Sequence, residues 1–264
     1  MTLRARLYAF WVKKRPKNLS AAKIIALTFG AIILLGAALL TLPIASRSGI
    51  SCGFRPALFT ATSATCVTGF VLYDTWTQWS GFGQTVIISL IQIGGLGCMS
   101  AATMLVFLLR KRIGFKQRLV MAQSLSVSDM DGIVNLQKTV LKGSFAIEGI
   151  GATILFFRFL PEFGFGSALK WGVFHSISAF CNAGFDLMGT QAPFSSLMGY
   201  ASQPVINGAI MALIVIGGIG FLTWDDIRAN GWHLHRYKMQ SKVILTTTLL
   251  LLVIPAVYFF FFEF

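Results

Sequence analysis

Phe59-Thr60-Ala61-Thr62-Ser63-Ala64-Thr65-Cys66-Val67-Thr68-Gly69-Phe70 is answered further along the chain by Phe174-His175-Ser176-Ile177-Ser178-Ala179-Phe180-Cys181-Asn182-Ala183-Gly184-Phe185, and each copy sits between two long apolar runs. A duplicated unit of helix, short polar loop and helix places irregular backbone at membrane depth, where it survives only beside water or protein. The pattern predicts an all-α membrane protein of repeated helix–pore loop–helix units whose backbone lines an aqueous path for ions.

Composition agrees with a bilayer as solvent: 55% of residues are hydrophobic, 12% are charged, and the mean hydropathy is +0.73. These values lie outside the range of soluble domains. Crossing about 30 Å of hydrocarbon takes roughly 20 residues. Five stretches have about that length, Ile24 to Leu42, Val86 to Leu109, Gly143 to Leu160, Val205 to Trp224 and Val243 to Phe262. Only the third carries charge, at Glu148 and Arg158. The first run is too long for a signal-peptide core and ends in Leu42-Pro43-Ile44 rather than at a small-residue cleavage site, so it is expected to remain as a helix. The predicted organisation is a basic terminus at 1–22, a first unit at 23–110, a connector at 111–137, a second unit at 138–226, a connector at 227–241, and the opening helix of a third unit at 242–264.

The net charge of +13 would suit nucleic-acid binding, but its placement argues against that. Of the 22 basic residues, those before and at the start of the first run (Arg4 to Lys23), those between the second and third (Arg110 to Lys142) and those after the fourth (Arg228 to Lys242) share one side; only Arg47, Arg55, Arg158 and Lys170 fall on the other. The positive-inside rule therefore puts the amino terminus in the cytoplasm of a multi-pass protein of the plasma (inner) membrane, with both polar loops opening outward. The basic connectors fit either attraction to anionic inner-leaflet lipids or a docking surface for a soluble regulator. The connector from Arg110 to Lys138 also carries Ser124, Ser126, Ser128, Asp129 and Asp131.

Pro56 suits the first turn of a short helix, and Pro56 to Ala64 would span about 14 Å, half a bilayer. Such a helix must be re-entrant, returning through Thr65 to Gly69; the second copy runs from about Ala168 to Ala179 and returns through Phe180 to Gly184. The carbonyl end of each helix, worth roughly half an elementary charge, favours a cation at the membrane centre. Neither loop contains an acidic or basic residue, which leaves backbone carbonyls as the ligands of a dehydrated cation. The candidate ion-binding set is Thr65, Cys66, Val67, Thr68 and Gly69 with Phe180, Cys181, Asn182, Ala183 and Gly184. Gly69 and Gly184 supply conformational freedom at one repeat position, and Thr65, Thr68 and Asn182 add side-chain oxygens or brace the loops from behind.

Ile91-Gln92-Ile93-Gly94-Gly95-Leu96-Gly97 is echoed by Ile214-Val215-Ile216-Gly217-Gly218-Ile219-Gly220, a thin helix face that fits close packing or gating. Asp74 and Asp186 are either mouth charges or solvated; Glu148 is a functional candidate or a partner for a polar group at a helix interface; His175 reads as packed or hydrogen-bonded rather than as a ligand. Cys52, Cys66, Cys98 and Cys181 show no disulfide or metal-site spacing, and no constellation suggests an enzyme, a cofactor or a transition-metal site.

Taken together, Leu42-Pro43-Ile44, Ala61 to Gly69, Asp74-Thr75, Gly83-Gln84-Thr85-Val86, Gln92 to Gly97, Phe174 to Phe180 and Asn182 to Phe185 resemble the Trk/Ktr/HKT superfamily of potassium transporters, most closely the Ktr-type membrane subunit. The resemblance implies four such units around one pathway with a filter glycine from each, matched here by Gly69 and Gly184. It implies K+ as the transported ion, with Na+ as a second candidate, a cytosolic nucleotide-binding regulatory ring as partner, and a homodimer. Gly184 follows Gly69 by 115 residues, so a third filter is expected near residue 299, beyond the sequence in hand. The alternative is a cation channel subunit with two pore loops that dimerises to complete a four-loop pore.

Overall fold

The computed structural model describes residues 21–97, 133–190, 192–231 and 233–262. Every regular element among them is helical, apart from one isolated bridge between Ser46 and Trp79. The first unit comprises α1 (Ala21–Thr41), the short α2 (Phe54–Thr65), a single turn α3 (Thr75–Gln78) and α4 (Gly81–Gly95). The second comprises α5 (Ile133–Phe180), α6 (Pro204–Gly218) and α7 (Phe221–Asn230), and α8 (Met239–Phe262) follows.

Helix α5 is two helices in one run. At Gly164 the backbone leaves helical space (φ 73°, ψ 170°), three residues after Pro161, and the chain turns back as a pore helix. Only glycine adopts that conformation without a steric penalty. The outer segment packs on the returning one through Gly172, where a Cβ would lie 2.8 Å from the Ala152 carbonyl oxygen. Helix α2 plays the pore-helix role in unit one. It starts at Phe54, two residues ahead of the proline expected to open it, so Pro56 sits within the first turn, where a missing N–H still costs nothing.

Both units use one packing rule. Gly36 on α1 lies against Leu90 of α4 and Ala61 of α2; Gly151 on α5 lies against Leu213 of α6 and Ser176 of the second pore helix. Gly36 and Gly151, like Ala61 and Ser176, are 115 residues apart, so the repeat extends to the outer helices. Without side chains at these two glycines, three helices meet closely, which is how bundles associate where water supplies no driving force.

Among the described residues three helices are long and apolar enough to cross a membrane: α1, the run from Gln137 to Phe180, and α8. The fourth predicted span differs from expectation. The run Val205 to Trp224 is not one helix: α6 stops at Gly218 and α7 departs at 93°. The cause is local, since Gly220 takes φ 83°, and Gly97 takes φ 82° at the matching place after α4, which ends at Gly95; the rest of the run expected to reach Leu109 lies outside the described residues. A left-handed residue ends an α-helix. Residues 98–132 lie outside the described part, and with them the serine-bearing connector and Cys98; so do 1–20.

Beyond α7 the chain is tied to α8 by Asp226, whose carboxylate accepts from the Lys238 amide at 2.8 Å and the Ser241 hydroxyl at 2.6 Å at the start of α8. The remainder of α8 is outward-facing, with Phe262 75% exposed.

Candidate functional site

The two polar loops come together. Gly69 and Gly184 face one another closely enough that a Cβ on Gly69 would lie 2.8 Å from the Ala183 carbonyl oxygen and 3.6 Å from the Gly184 Cα. Both take left-handed φ, 78° and 71°. Within these loops so do two residues that are not glycine, Val67 (φ 56°) and Asn182 (φ 57°), which are repeat mates. Asn tolerates this region; a β-branched valine there is an outlier that the surroundings must hold in place.

What holds it is the end of each pore helix. Cys66, Val67 and Thr68 donate their amides to Thr62 O, Ala64 O and Ser63 O at 2.8, 3.3 and 3.0 Å; Cys181, Asn182 and Ala183 donate to Ile177 O, Ala179 O and Ser178 O at 2.9, 3.0 and 2.8 Å. Every donor–acceptor pair of the first loop recurs 115 residues on. The amides are consumed by the helix behind them. Among the described residues no hydrogen bond takes up the carbonyl oxygens of Val67, Thr68, Gly69, Asn182, Ala183 or Gly184.

Side chains brace the loops from behind. Thr68 Oγ1 donates to Ser63 Oγ at 3.0 Å, and Ser178 Oγ donates to Phe185 O at 2.6 Å. Asn182 Nδ2 reaches Ile214 O at 3.4 Å. Thr65 Oγ1 is buried without a partner among the described residues. His175 is fully engaged: Nδ1 meets Trp171 O at 2.8 Å and Nε2 accepts from the Leu187 amide at 3.2 Å. That pattern assigns a neutral imidazole with its proton on Nδ1, a brace with no lone pair left for an ion.

The glycine face of each second helix lies against a pore-helix terminus. A Cβ on Gly94 would collide with the Thr65 carbonyl oxygen, and one on Gly217 with that of Phe180, again repeat mates. Close packing accounts for these glycines. Gly95 reaches across to Cys181 of the other unit, and the two glycine stretches border a shared cavity of about 400 Å³ with Phe221 and Gln240.

Polar and aromatic links join the units. The Gln92 amide nitrogen, on α4, donates to both oxygens of the buried Glu148, on α5, at 2.8 and 3.1 Å, while the Glu148 main-chain oxygen accepts from Ser176 of the pore helix at 2.6 Å. On the loop side, Asp74 is buried rather than open to the mouth: Oδ1 caps α3 through Trp76 N and Thr77 N, and Oδ2 accepts from Phe194 N of the second unit at 3.0 Å. Its sequence context, Asp before Thr-Trp-Thr, carried the capping signal. Asp186 makes a local turn with Met188 N at 2.9 Å. Trp76 further joins the units, edge-on to Trp171 at 5.4 Å with the Arg47 guanidinium 4.3 Å from its centroid.

Apolar membrane-length helices and two paired helix–loop units with converging uncharged loops define an all-α membrane protein. The chain belongs to the TrkH family of cation transport proteins, whose family profile matches residues 10–263. It is 42% identical over 238 residues to the potassium/sodium uptake protein NtpJ of Enterococcus hirae, covering 89% of this chain and 51% of that one. It is 40% identical to the Ktr system potassium uptake protein B of Bacillus subtilis (93% of this chain, 52% of the relative), and 34% identical to its namesake from Vibrio alginolyticus (84% and 48%). The chain spans about half the length of these relatives.

Proposed function

We propose that this chain supplies two walls of a potassium-selective pore, taking up K+ across the plasma membrane as the membrane subunit of a Trk/Ktr-type system. The observation that carries it is the matched pair of loops. Alternating left-handed residues, Val67 and Gly69 in one and Asn182 and Gly184 in the other, accompany carbonyls that make no hydrogen bond among the described residues, and in this reading those carbonyls face a common axis. Oxygens so arranged replace the hydration shell of a cation. In this reading the ion meets Thr65 to Gly69 on one side and Phe180 to Gly184 on the other, and the carbonyl ends of α2 and of the second pore helix add a field that repels anions.

Two walls meeting at one edge do not surround an ion, so the reading includes further units around the same axis. The Gly95 seam, filled by Cys181 of the neighbouring unit, is the kind of joint a third unit makes beside Gly218. The outward face of α8 fits a role as a wall of that unit. The names of the relatives support K+ with Na+ as second ion. The basic connectors support an amino terminus in the cytoplasm, where in this reading they would face a cytosolic nucleotide-binding ring, with a homodimer as the assembly.

The test is ion flux into vesicles holding the intact protein. Gly69→Ser, whose Cβ would press on the Ala183 carbonyl oxygen at φ 78°, is expected to lower the melting temperature and to relax the preference for K+ over Na+ in the protein that folds; unchanged selectivity of the folded variant removes the filter assignment.

A further inference from the structure

At the rim opposite the basic connectors, where the two units meet, one indole carries two cations. The Arg47 guanidinium lies 4.3 Å from the ring centroid of Trp76, and the Lys170 ammonium lies 5.7 Å from it. Arg47 follows α1 in unit one, whereas Lys170 stands in the first turns of the second pore helix, after the break at Gly164, so the pair straddles the joint between units. Trp76 is held edge-on to Trp171 of unit two at 5.4 Å, which fixes both cations relative to that joint. Lys170 also lies beside the first turn of α4, since a Cβ on Gly81 would be 3.8 Å from its Nζ. That is the positive end of a helix, the wrong pole for an ammonium. Among the described residues no carboxylate offsets the pair. Of the described acids on this side, Asp74 caps α3 and holds Phe194 N, Glu162 accepts from the Tyr200 hydroxyl at 2.8 Å, and Asp186 accepts from Met188 N. The indole attracts each cation modestly and leaves their mutual repulsion in place.

We propose that this rim seats one anionic phospholipid of the outer leaflet, its phosphate between Arg47 and Lys170 and an acyl chain against Phe82 and Leu169. Charge complementarity selects this occupant. A guanidinium offers phosphate oxygens a planar fork and an ammonium offers a point charge, and the two stand here with a helix end of the same sign. A zwitterionic lipid would bring a further cation to that place. Inorganic phosphate would answer the cations but leave the apolar surroundings bare: Phe82 and Leu169, the chain neighbours of Gly81 and Lys170, are exposed, as is Ile44, whose carbonyl accepts from Ser80 Oγ at 2.6 Å beside them. An indole at this level suits the membrane–water interface. With the lipid seated, its phosphate would join the rim of unit one to the second pore helix alongside Trp76. The inference rests on the proposed outward orientation of this end and is independent of ion selectivity.

The test is native mass spectrometry of the intact protein released from nanodiscs of mixed phosphatidylglycerol and phosphatidylcholine, reading the ratio of the two lipids retained. The ratio should favour phosphatidylglycerol, and Arg47→Gln with Lys170→Gln should lower it by about fivefold per cation removed. Because the ratio is internal to each sample, it reads the seat even where loss of the indole contacts lowers the melting temperature. Lys170→Arg, which keeps the charge, should hold the parent ratio. A ratio unchanged by the double substitution, a ratio that falls as far with Lys170→Arg, displacement of the lipid by inorganic phosphate, or a density map of the whole protein with a protein segment between Arg47 and Lys170 would overturn the proposal. The filter is read separately: Gly69→Ser should change the selectivity of flux and keep the lipid ratio, and the double variant should do the opposite.

Discussion

Gln92 of the first unit holds both carboxylate oxygens of Glu148 in the second through a single amide nitrogen. This is a buried polar joint between repeats, placed directly behind the pore helix that ends in Phe180, because Ser176 of that helix is tied to the Glu148 main chain. A half-satisfied buried joint is worse than none.

Glu148→Ala should therefore cost more than Glu148→Gln. Alanine strands the Gln92 amide, a loss of about 1–3 kcal/mol, whereas glutamine can also donate to Gln92 Oε1, which has no partner among the described residues. Thermal unfolding in detergent should rank the variants wild type, then Gln, then Ala, and the double variant Gln92→Leu with Glu148→Leu should recover part of the loss.

The glycines of α4 and α6 are not interchangeable. Gly94→Ala and Gly217→Ala drive a methyl into the Thr65 and Phe180 carbonyls, so each should destabilise by about 1–3 kcal/mol as overpacking does and reduce flux. Gly208, also on α6, has nothing within 4 Å of its Cβ position, and Gly208→Ala should be neutral or stabilising by up to about 1 kcal/mol. Equal effects at all three positions in a melting series would refute the packing account.

At Val67 the left-handed backbone sets the order of substitutions. Val67→Gly should keep the loop and its carbonyls, because glycine takes φ 56° freely, while Val67→Pro cannot take positive φ and removes the amide bonded to Ala64 O. Flux should survive the first change and vanish with the second.

Asp74→Ala removes an N-cap, worth about 0.5–2 kcal/mol, and also frees Phe194 N from the second unit. Limited proteolysis should show faster cleavage between 192 and 203 than in the parent protein. Asp74→Asn, which keeps an acceptor oxygen, should be intermediate.

Gly220→Ala forces a side chain into φ 83° at the break between α6 and α7, at a cost of roughly 1–2 kcal/mol. The expected result is a lower melting temperature without any change in K+ over Na+ preference, since the filter lies elsewhere; a selectivity change would tie the break to the filter.

Much of this site was legible because duplication writes the same backbone twice. Residue types marked the loops, Gly69 and Gly184, the re-entrant helices and the thin faces at Gly94 and Gly217. Val67 was invisible, since nothing about valine announces positive φ; its mate Asn182, a residue enriched in that region, was the available hint. The bend after Gly218 was hidden by hydropathy that continues unbroken through Ile219, Phe221 and Trp224, although the glycine cluster itself signalled a stop.

The sequence by itself determined the solvent, the helical class, the repeat and which loops carry the backbone, since hydrophobic length, glycine placement and self-similarity are properties of the chain alone. Tertiary structure decided the partners across the repeat: Gln92 with Glu148, Asp74 with Phe194 N, Gly69 with Gly184. Those pairings join residues 56, 120 and 115 positions apart, and no local propensity encodes which distant groups meet when helices pack around a common axis.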